Sequence, residues 1–397
     1  MEKNYSYLIL GAGKQGVAAA YDVALFGNAR QIILADGSFD FAQEGSKRIQ
    51  KLCKGKTKAK IVPQQISAQK YKNLVQIIRG NNAVLSALPY YFNPSIAQAA
   101  IEARVNYCDL GGYQDSTDQI LKLNSAAKKA GVTLIPDCGV APGMCNSLAV
   151  SAMEQLSSTE SVKMYCGGLP QKPQPPLGYG EVFNLEGLIG NYLGKSYVLR
   201  DGKIKLIPSL TEYELLDFGA PIGKLEAVIT GGATSTCPWT FKKSIQEYVY
   251  KTLRYPGHYE KIITLRDLGL LSEEEVQFKG HKIIPRKIFV ALARPKLQFK
   301  NSKDLLVMRV IVTGLYHHKK VSIIYQVLEY FDSKTGFTAM QRTTGFSAAV
   351  VLEMLARKEI TVLGTVPVEQ SVPGQYFIQQ IKKRGISVHK QRVQHVL

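Results

Sequence analysis

The first 136 residues alternate short apolar runs with longer amphipathic stretches. Three apolar runs of strand length each precede a stretch with helical spacing, and the pairs are 7–10 with 17–26, 32–35 with 41–52, and 83–88 with 94–104. Strand candidates at 105–110 and 132–136 flank an alanine-rich helix and continue this pattern. Strand then helix, repeated, is typical of parallel strands joined by right-handed crossovers. The pattern predicts a doubly wound parallel sheet in an α/β protein.

After residue 142 the pattern changes. Prolines and glycines crowd residues 167–180, and closely spaced prolines exclude a helix or a central strand, so we expect a loop there. A loop of this length is more often functional or interfacial than idle. Residues 305–313 and 321–331 flank a short turn and predict an antiparallel hairpin. We therefore expect a second, inserted α/β domain with an antiparallel or mixed sheet.

The last segment returns to alternating helix and strand, with candidates at 347–357, 360–366, 375–384 and 386–389. A chain of 397 residues is long enough for two domains. We place the first domain at 1–136 and the second at 137–340. We expect residues 341–397 to return to the first domain and complete it.

The net positive charge of the chain is compatible with several classes of binding partner and does not select one. Lys and Arg number 50 against 31 Asp and Glu, a formal net charge of +19, which raises nucleic acid, membrane surfaces and acidic ligands as partners. The two basic runs lack interleaved aromatic residues, and a charge run is usually a solvated face. We expect no specific nucleic-acid binding. The runs are Lys51, Lys54, Lys56, Lys58, Lys60 and Lys382, Lys383, Arg384, Lys390, Arg392.

The cysteines and the apolar runs indicate the compartment. Six cysteines without a CxxC are too sparse for a disulfide scaffold, which favours a reducing environment. The first apolar run stops at Gly11, and no run reaches the roughly 18 apolar residues of a membrane span. We expect a soluble, cytoplasmic protein with no membrane partner. Since no HExxH or tight His/Cys/Asp cluster is present, we predict no metal.

A GxGxxG motif, Gly11-Ala12-Gly13-Lys14-Gln15-Gly16, follows the first strand and opens the first helix. Gly11 permits a tight turn, Gly13 allows the backbone to approach a pyrophosphate, and Gly16 allows close packing of helix on strand. The helix N-terminus, with Lys14 and Gln15, adds amides and a positive dipole end. In this context the motif predicts a Rossmann dinucleotide site.

Asp36 ends the second strand 20 residues after Gly16, where an acid accepts hydrogen bonds from a ribose. Its carboxylate would repel a 2′-phosphate and no arginine follows it, which favours NAD over NADP, with FAD as a weaker alternative. Two further strand ends are candidates for the nicotinamide half of the site. They contribute Ala87, Leu88, Pro89 and Leu110.

An enzyme that transfers hydride to or from a polar metabolite needs an anion clamp and an acid/base group. Arg254, in Thr252-Leu253-Arg254-Tyr255-Pro256-Gly257-His258, is the side chain best shaped to hold a carboxylate. Asp109, Asp137 and His258 are the acid/base candidates, and the choice among them stays open. Tyr90 and Tyr179 are candidates for added hydrogen bonds to substrate.

Several long motifs resemble the saccharopine dehydrogenase superfamily. They are GAGKQG, residues 86–90, DLGG, DCGVAPGMCN, TLRYPGH and the late RTTG before a helix. Residues 166–177, 225–227 and 230–232 look most like the NAD-dependent L-lysine 6-dehydrogenases within it. Asn93 sits where saccharopine reductases tend to carry histidine, and Phe346-Ser347 replaces an expected aromatic-proline pair.

This resemblance implies a nucleotide domain completed by the tail, an inserted domain for substrate binding and dimerisation, and a cleft between them. It implies a homodimer and places a substrate carboxylate on Arg254. The implied reaction is oxidative deamination at the ε-carbon of L-lysine, which gives ammonia and 2-aminoadipate 6-semialdehyde; this product cyclises to a piperideine carboxylate. Saccharopine, a carboxylated polyamine or another amino acid is the alternative substrate. A non-catalytic NAD-binding protein and a basic nucleic-acid binder are alternatives of another class.

Overall fold

A computed structural model describes residues 4–180, 185–299 and 302–395. Up to residue 135, strands and helices alternate except that two consecutive helices occupy residues 114–130, and a short 3-10 turn lies at Tyr90–Phe92. The strands are β1 (Tyr5–Leu10), β2 (Ala29–Asp36), β3 (Lys60–Gln65), β4 (Ala83–Ser86), β5 (Asn106–Asp109) and β6 (Thr133–Ile135). The helices are α1 (Lys14–Phe26), α2 (Phe39–Leu52), α3 (Tyr71–Ile78), α4 (Asn93–Ala103), α5 (Gln114–Leu121) and α6 (Asn124–Ala130).

The middle of the chain is richer in strand. Its strands are β7 (Ser158–Pro170), β8 (Lys195–Arg200), β9 (Lys203–Pro208), β10 (Glu214–Asp217), β11 (Lys224–Ile229), β12 (Glu247–Arg254), β13 (Val276–Phe278), β14 (His281–Ile283), β15 (Asp304–Tyr316) and β16 (Lys319–Tyr330). Its helices are α7 (Met144–Met153), α8 (Leu185–Tyr192), α9 (Cys237–Phe241), α10 (His258–Asp267) and α11 (Pro285–Leu297).

The tail contains the long buried helix α12 (Ala339–Arg357), followed by shorter elements. These are β17 (Gly364–Thr365), α13 (Val368–Ser371), α14 (Gly374–Lys383) and β18 (His389–Gln394). None of the helices in these described ranges is long and apolar enough to cross a membrane.

The first sheet has seven strands in the order β3-β2-β1-β4-β5-β6-β17, and every pairing in it is parallel. Strand order reverses between β1 and β4. In an open α/β sheet the ligand crevice lies at such a switch point, outside the carboxyl ends of the strands. The predicted doubly wound sheet, completed by a strand of the tail, is confirmed.

The second sheet has nine strands and is mixed. The order is β10-β11-β12-β7-β15-β16-β18, with β8 pairing β12 and β9. Only β12 and β7 run parallel among its described pairings. Strands β15 and β16 form the predicted hairpin, which is longer than expected because pairing continues to Tyr316 and Lys319. The predicted mixed sheet is confirmed.

Three local expectations differ from the structure. The loop begins after Pro170 rather than at Gly167, because residues up to Pro170 belong to β7. A Cβ at Gly167 would lie 2.5 Å from the Leu253 oxygen of the paired strand, so this glycine allows the two strands to pack closely. Helix α12 begins at Ala339, so the RTTG motif lies inside the helix. The final strand, β18, pairs with β16 of the second sheet, so the tail contributes to both sheets.

A buried ion cluster fastens the tail to the first helix. Arg384 Nε donates to both carboxylate oxygens of Asp22 at 2.7 Å, and its Nη2 donates to Glu353 at 2.7 Å. The Arg384 and Asp22 side chains are fully buried. The expectation that Arg384 belongs to a solvated basic run was wrong, because it is the shared partner of two buried acids on α1 and α12.

We predict that Arg384→Ala lowers the free energy of unfolding by about 3–5 kcal/mol, because it leaves the buried carboxyl of Asp22 without a cation and Glu353 with Arg357 alone. Urea denaturation followed by circular dichroism measures this change. Lys383→Ala, which removes the exposed neighbouring charge, is the matched control and should change stability by at most about 0.5 kcal/mol. Equal effects of the two substitutions would show that the buried cluster does not stabilise the fold.

Candidate functional site

The glycine-rich turn after β1 has the geometry of a pyrophosphate cradle. Gly11 has a φ of +104°, and a Cβ there would lie 2.7 Å from the Ala87 oxygen. A Cβ at Gly16 would lie 1.8 Å from the Gly11 oxygen, whereas one at Gly13 would meet no described atom within 4 Å. Gly11 and Gly16 thus close the turn, and Gly13 leaves open space before α1. The first amides of α1, from exposed Lys14 and half-buried Gln15, face this space with no side-chain cap at Gly13.

Asp36 is fixed beside this turn. Its Oδ2 accepts from the Ala12 amide at 2.8 Å, and its Oδ1 accepts from the Ser38 amide at 3.0 Å. The carboxylate is half-buried at the carboxyl end of β2, next to the carboxyl end of β1. An acid held there is in the place of a ribose acceptor in a dinucleotide site.

The other cofactor candidates lie on the opposite side of the switch point. The Ala87 amide donates to the Leu10 oxygen at 2.7 Å, so the loop after β4 starts against the end of β1. Ala87 and Leu88 are half-buried, Pro89 is exposed, and Leu110 is half-buried after β5. These small and apolar side chains border the same crevice edge as the glycine turn.

Tyr90 directly follows Pro89 in the connection after β4. It is 40% exposed and stacks on Tyr113, with ring centroids 4.6 Å apart. The two rings line a groove of about 600 Å³ between α4 and α5. Ser116 Oγ donates to the Tyr90 carbonyl oxygen at 3.1 Å, and the next residue, Thr117, donates to Asp137, so α5 connects the Tyr90 backbone to the buried carboxyls described next.

Asp109 and Asp137 lie together at the carboxyl ends of β5 and β6, and both are buried. Asp109 Oδ2 accepts from the Tyr107 hydroxyl at 2.8 Å, and its Oδ1 accepts from the amides of Gly111 at 2.7 Å and Asp137 at 3.0 Å. Burial raises the pKa of Asp109 to about 6. Both of its oxygens are engaged in holding the loop around Asp137.

Asp137 differs because one of its oxygens has no partner. Oδ2 accepts from the hydroxyl of Thr117 at 2.9 Å and from the hydroxyl of Ser235, while Oδ1 is buried without a hydrogen-bond partner among the described residues. Burial, and then the charge of Asp109, raise the pKa of Asp137 to about 7. The backbone at Asp137 has a φ of +67°. This strained, incompletely satisfied carboxyl is typical of a functional group.

Sequence reasoning missed the residues that complete this carboxyl cluster. Glu369, from α13 of the tail, accepts from the hydroxyls of Thr236 at 2.7 Å and Thr240 at 2.6 Å. Its second oxygen is also buried without a described partner, and burial raises its pKa. Thr236 follows Ser235, the residue that donates to Asp137. Three segments distant in sequence therefore meet here, and only the 230–232 motif beside Ser235 gave a signal.

Arg254 belongs to a second buried cluster at the end of β12. Its Nε donates to the Tyr192 hydroxyl at 2.8 Å, and its Nη1 donates to the Leu253 oxygen at 2.7 Å. The guanidinium carbon lies 4.9 Å from the centre of the Tyr179 ring. Within the described ranges no carboxylate pairs with this guanidinium, although the side chain is buried. Glu226, the register partner of Arg254 on β11, instead accepts from the Gly257 and Tyr259 amides. A buried cation without an ion-pair partner is a candidate anion site.

His258 lies in the same cluster as Arg254. Its Nε2 lies 3.0 Å from the Tyr192 hydroxyl, and its Nδ1 lies 3.0 Å from the Leu177 oxygen. Burial, followed by the positive charge of Arg254, lowers the pKa of His258 to about 3. Tyr192 ends α8 in a stretch without a recognisable motif, so sequence reasoning did not find it.

The loop 230–236 contacts both clusters. The Gly231 amide donates to the Asn191 oxygen at 3.0 Å, beside Tyr192. A Cβ at Gly232 would lie 3.4 Å from the Gly112 oxygen, and Ser235 donates to Asp137. The structure therefore brings Asp109 together with Asp137, and Arg254 together with His258 and Tyr179. The loop 230–236 bonds to the first group through Ser235 and runs beside Tyr192 of the second group at Gly231.

Comparison with known proteins gives the same architecture. Residues 7–135 match the profile of the saccharopine dehydrogenase NADP binding domain, and residues 139–386 match that of the saccharopine dehydrogenase C-terminal domain. The structure is similar to apo saccharopine dehydrogenase (L-Glu forming) from Saccharomyces cerevisiae, with a TM-score of 0.78, 19% identity, and coverage of 98% of this chain and 100% of that one. At this identity the likeness shows the fold alone.

Two curated relatives match this chain over less than half of their own length. The saccharopine dehydrogenase [NADP(+), L-glutamate-forming] of Pyricularia oryzae is 27% identical over 50% of this chain and 45% of its own. The mitochondrial alpha-aminoadipic semialdehyde synthase of Rattus norvegicus is 23% identical over 80% of this chain and 41% of its own. The chain thus spans less than half the length of these relatives. Because one profile alone matches residues 139–386, more than half of the chain, the protein belongs to the saccharopine dehydrogenase family.

Proposed function

We propose that the protein is an NAD-dependent oxidoreductase that removes the ε-amine of L-lysine by oxidation. One observation carries the proposal: the loop 230–236 bonds to a pair of buried carboxyls and runs beside a cluster that contains a buried guanidinium without a described carboxylate partner. A substrate that matches has a carboxylate at one end and a cationic amine at the other. L-lysine has both, with the ε-amine remote from its carboxylate.

The residues present fit NAD. Gly11, Gly13 and Gly16 would cradle its pyrophosphate, Asp36 would accept from the adenosine ribose, and Ala87 to Pro89 with Leu110 would border its nicotinamide. NAD, when bound, supplies the hydride acceptor. The profile of the first domain and the Pyricularia oryzae relative carry NADP in their names. Asp36 supports NAD instead, because its carboxylate would repel a 2′-phosphate.

Hydride leaves a carbon only when the adjacent nitrogen has a lone pair, so the ε-ammonium must first lose a proton. With a pKa of about 10.4, this costs about 4.6 kcal/mol at pH 7. A base is therefore needed, and a carboxylate also attracts the cationic amine before reaction.

We assign the base to Asp137. Both oxygens of Asp109 and both ring nitrogens of His258 are engaged, whereas Asp137 Oδ1 has no described partner. The low pKa of His258 also makes it a poor proton acceptor. After hydride transfer, water adds to the imine, and protonated Asp137 returns its proton to the departing ammonia. The aldehyde product, 2-aminoadipate 6-semialdehyde, cyclises to piperideine-6-carboxylate.

Saccharopine is the second candidate substrate, favoured by the name of the Pyricularia oryzae relative. It carries more carboxylates than lysine and would need further cationic partners. In the described ranges, Lys251 and Arg384 are buried but paired with acids, which leaves Arg254 as the buried cation available to a ligand. A single clamp supports lysine. The homodimer, inferred from family resemblance, stays a prediction.

The first prediction of this proposal is that purified protein reduces NAD when L-lysine is added at alkaline pH, and releases ammonia in equal amount. Absorbance at the NADH band and an ammonia assay in the same tube measure both. NADP should be reduced much more slowly. Retained NAD binding without lysine turnover would contradict the proposal and direct the search to saccharopine.

Replacement of the base tests the assignment within the carboxyl cluster. We expect Asp137→Asn to lower kcat by about 10²–10⁴-fold with NAD affinity unchanged. In the unchanged protein kcat/KM should rise with pH through about 7, since the raised pKa of Asp137 keeps it protonated below that pH. This rise of kcat/KM with pH should be absent in Asp137→Asn. The substitution Asp115→Asn, at an exposed position, is the control and should keep the wild-type pH profile. A kcat within threefold of wild type would place the base elsewhere.

Cofactor choice is tested at the ribose acceptor. Asp36→Arg should weaken NAD binding by at least tenfold, because it removes a charge-assisted acceptor and introduces a cation suited to a 2′-phosphate. Its affinity for NADP should rise relative to NAD. Titration of protein fluorescence with each nucleotide measures both affinities. An unchanged affinity for NAD would contradict the role assigned to Asp36.

A further inference from the structure

We propose that Tyr192 and His258 are positioning residues that hold Arg254 in one orientation, so that its outer edge receives the carboxylate of an amino acid. The chemical class of this ligand rests on the proposed function. The orientation itself rests on a chain of hydrogen bonds that runs in one direction through the second domain.

The direction of this chain of hydrogen bonds follows from its last member, the Leu177 carbonyl. The Leu177 carbonyl oxygen can only accept, so His258 Nδ1 carries the hydrogen and Nε2 presents a lone pair. The Tyr192 hydroxyl must then donate to Nε2. Its oxygen remains free to accept from Arg254 Nε at 2.8 Å. Every group therefore has its correct donor or acceptor role.

Protonation of His258 would reverse this chain, and the surroundings oppose it. The imidazole is buried among the rings of Tyr179, Tyr192 and Tyr259, and it faces the positive charge of Arg254. Its pKa lies at about 3, far below neutrality. Burial also raises the pKa of Tyr192, which therefore keeps its proton. The orientation of Arg254 is thus constant over the pH range in which an alkaline dehydrogenase works.

These hydrogen bonds determine which edge of the Arg254 guanidinium is left to bind a ligand. Tyr192 occupies Nε, and the Leu253 oxygen occupies one N–H of Nη1. Nη2 has no acceptor among the described residues, and the second N–H of Nη1 is also available. A carboxylate would therefore bind end-on to Nη1 and Nη2, in the planar geometry that arginine favours.

Four separate elements supply this arrangement, so it is formed before a ligand arrives. Arg254 ends β12, Tyr192 ends α8, His258 begins α10, and Leu177 lies in the loop 171–180. The Pro/Gly-rich loop thus has a specific role: its Leu177 carbonyl fixes the tautomer of His258. Preorganised donors lose little freedom on binding, which favours affinity.

L-norleucine tests the clamp apart from the chemistry, because it has the α-amino acid group of lysine but no ε-amine to oxidise. Isothermal titration in the presence of NAD should show that Tyr192→Phe weakens norleucine binding by about tenfold or more. Tyr7→Phe is the matched control. It removes a buried hydroxyl that donates to the Gly27 oxygen at 2.7 Å in the first domain, and it should leave norleucine affinity within twofold.

Kinetics separate positioning from a merely structural role. In Tyr192→Phe, KM for L-lysine should rise about tenfold with kcat within twofold. The kcat/KM for 1,5-diaminopentane, which lacks a carboxylate, should not change. NAD affinity and the melting curve report whether the variant folds. If Tyr192→Phe does not fold, His258→Gln replaces it, and norleucine binding should weaken in the same direction.

The outcomes distinguish this inference from the proposed function. Wild-type norleucine affinity in Tyr192→Phe, or a fall in kcat with KM unchanged, would overturn the positioning role. Oxidation of lysine by wild-type protein that does not bind norleucine would also overturn it. Norleucine binding that depends on Tyr192, without lysine oxidation, would support the clamp and contradict the proposed reaction.

Discussion

The contact between helices α1 and α12 is the constraint that connects the nucleotide site to the second sheet. Gly345 of α12 packs so closely that a Cβ would lie 2.9 Å from the Ala18 Cβ and 3.0 Å from the Gln15 oxygen. Gln341 Nε2 donates to the Lys14 oxygen at 2.8 Å, at the first residue of the pyrophosphate helix. Asp304, which begins β15, accepts from the first amide of α12 at 2.7 Å. The buried helix α12 thus contacts both α1 of the nucleotide site and β15 of the second sheet.

The candidate site contains buried groups of opposite charge. Asp109, Asp137 and Glu369 are buried without a cationic partner in the described ranges, in a chain of net charge +19. Arg254 is buried without a described anion. Uncompensated buried charges disfavour the fold and persist where a ligand or a proton compensates them. Under the proposed function, a substrate with an amine at one end and a carboxylate at the other would satisfy both clusters.

The sequence predicted the parts of this arrangement that depend on local chemistry. The glycine turn and Asp36 could be found because their roles follow from backbone geometry within one strand-helix-strand unit. Asp109 and Asp137 stand at predicted strand ends, so their general location followed from the topology. Arg254 was selected for its side-chain chemistry alone, because no strand was predicted before it. The doubly wound sheet followed from the alternating pattern.

The rest depends on contacts between segments far apart in the chain. Tyr192 and Glu369 carry no local motif, and their roles come from partners more than 60 and 130 residues away. Arg384 looked like part of a solvated basic run, because its acids lie on α1 and α12. Strand β18 could not be assigned to the second sheet, since its sequence does not identify its partner β16.

Deuterium transfer distinguishes the two ends of the substrate, because the proposed binding mode puts the carboxylate on Arg254 and the reacting carbon at the carboxyl cluster. L-lysine with two deuterium atoms at C6 should give NADH that is one mass unit heavier, with a slower hydride-transfer step in single-turnover kinetics. L-lysine deuterated at C2 should give unlabelled NADH at the normal rate. Transfer of the C2 label would mean that the α-carbon reacts, and would contradict the orientation of substrate between Arg254 and Asp137.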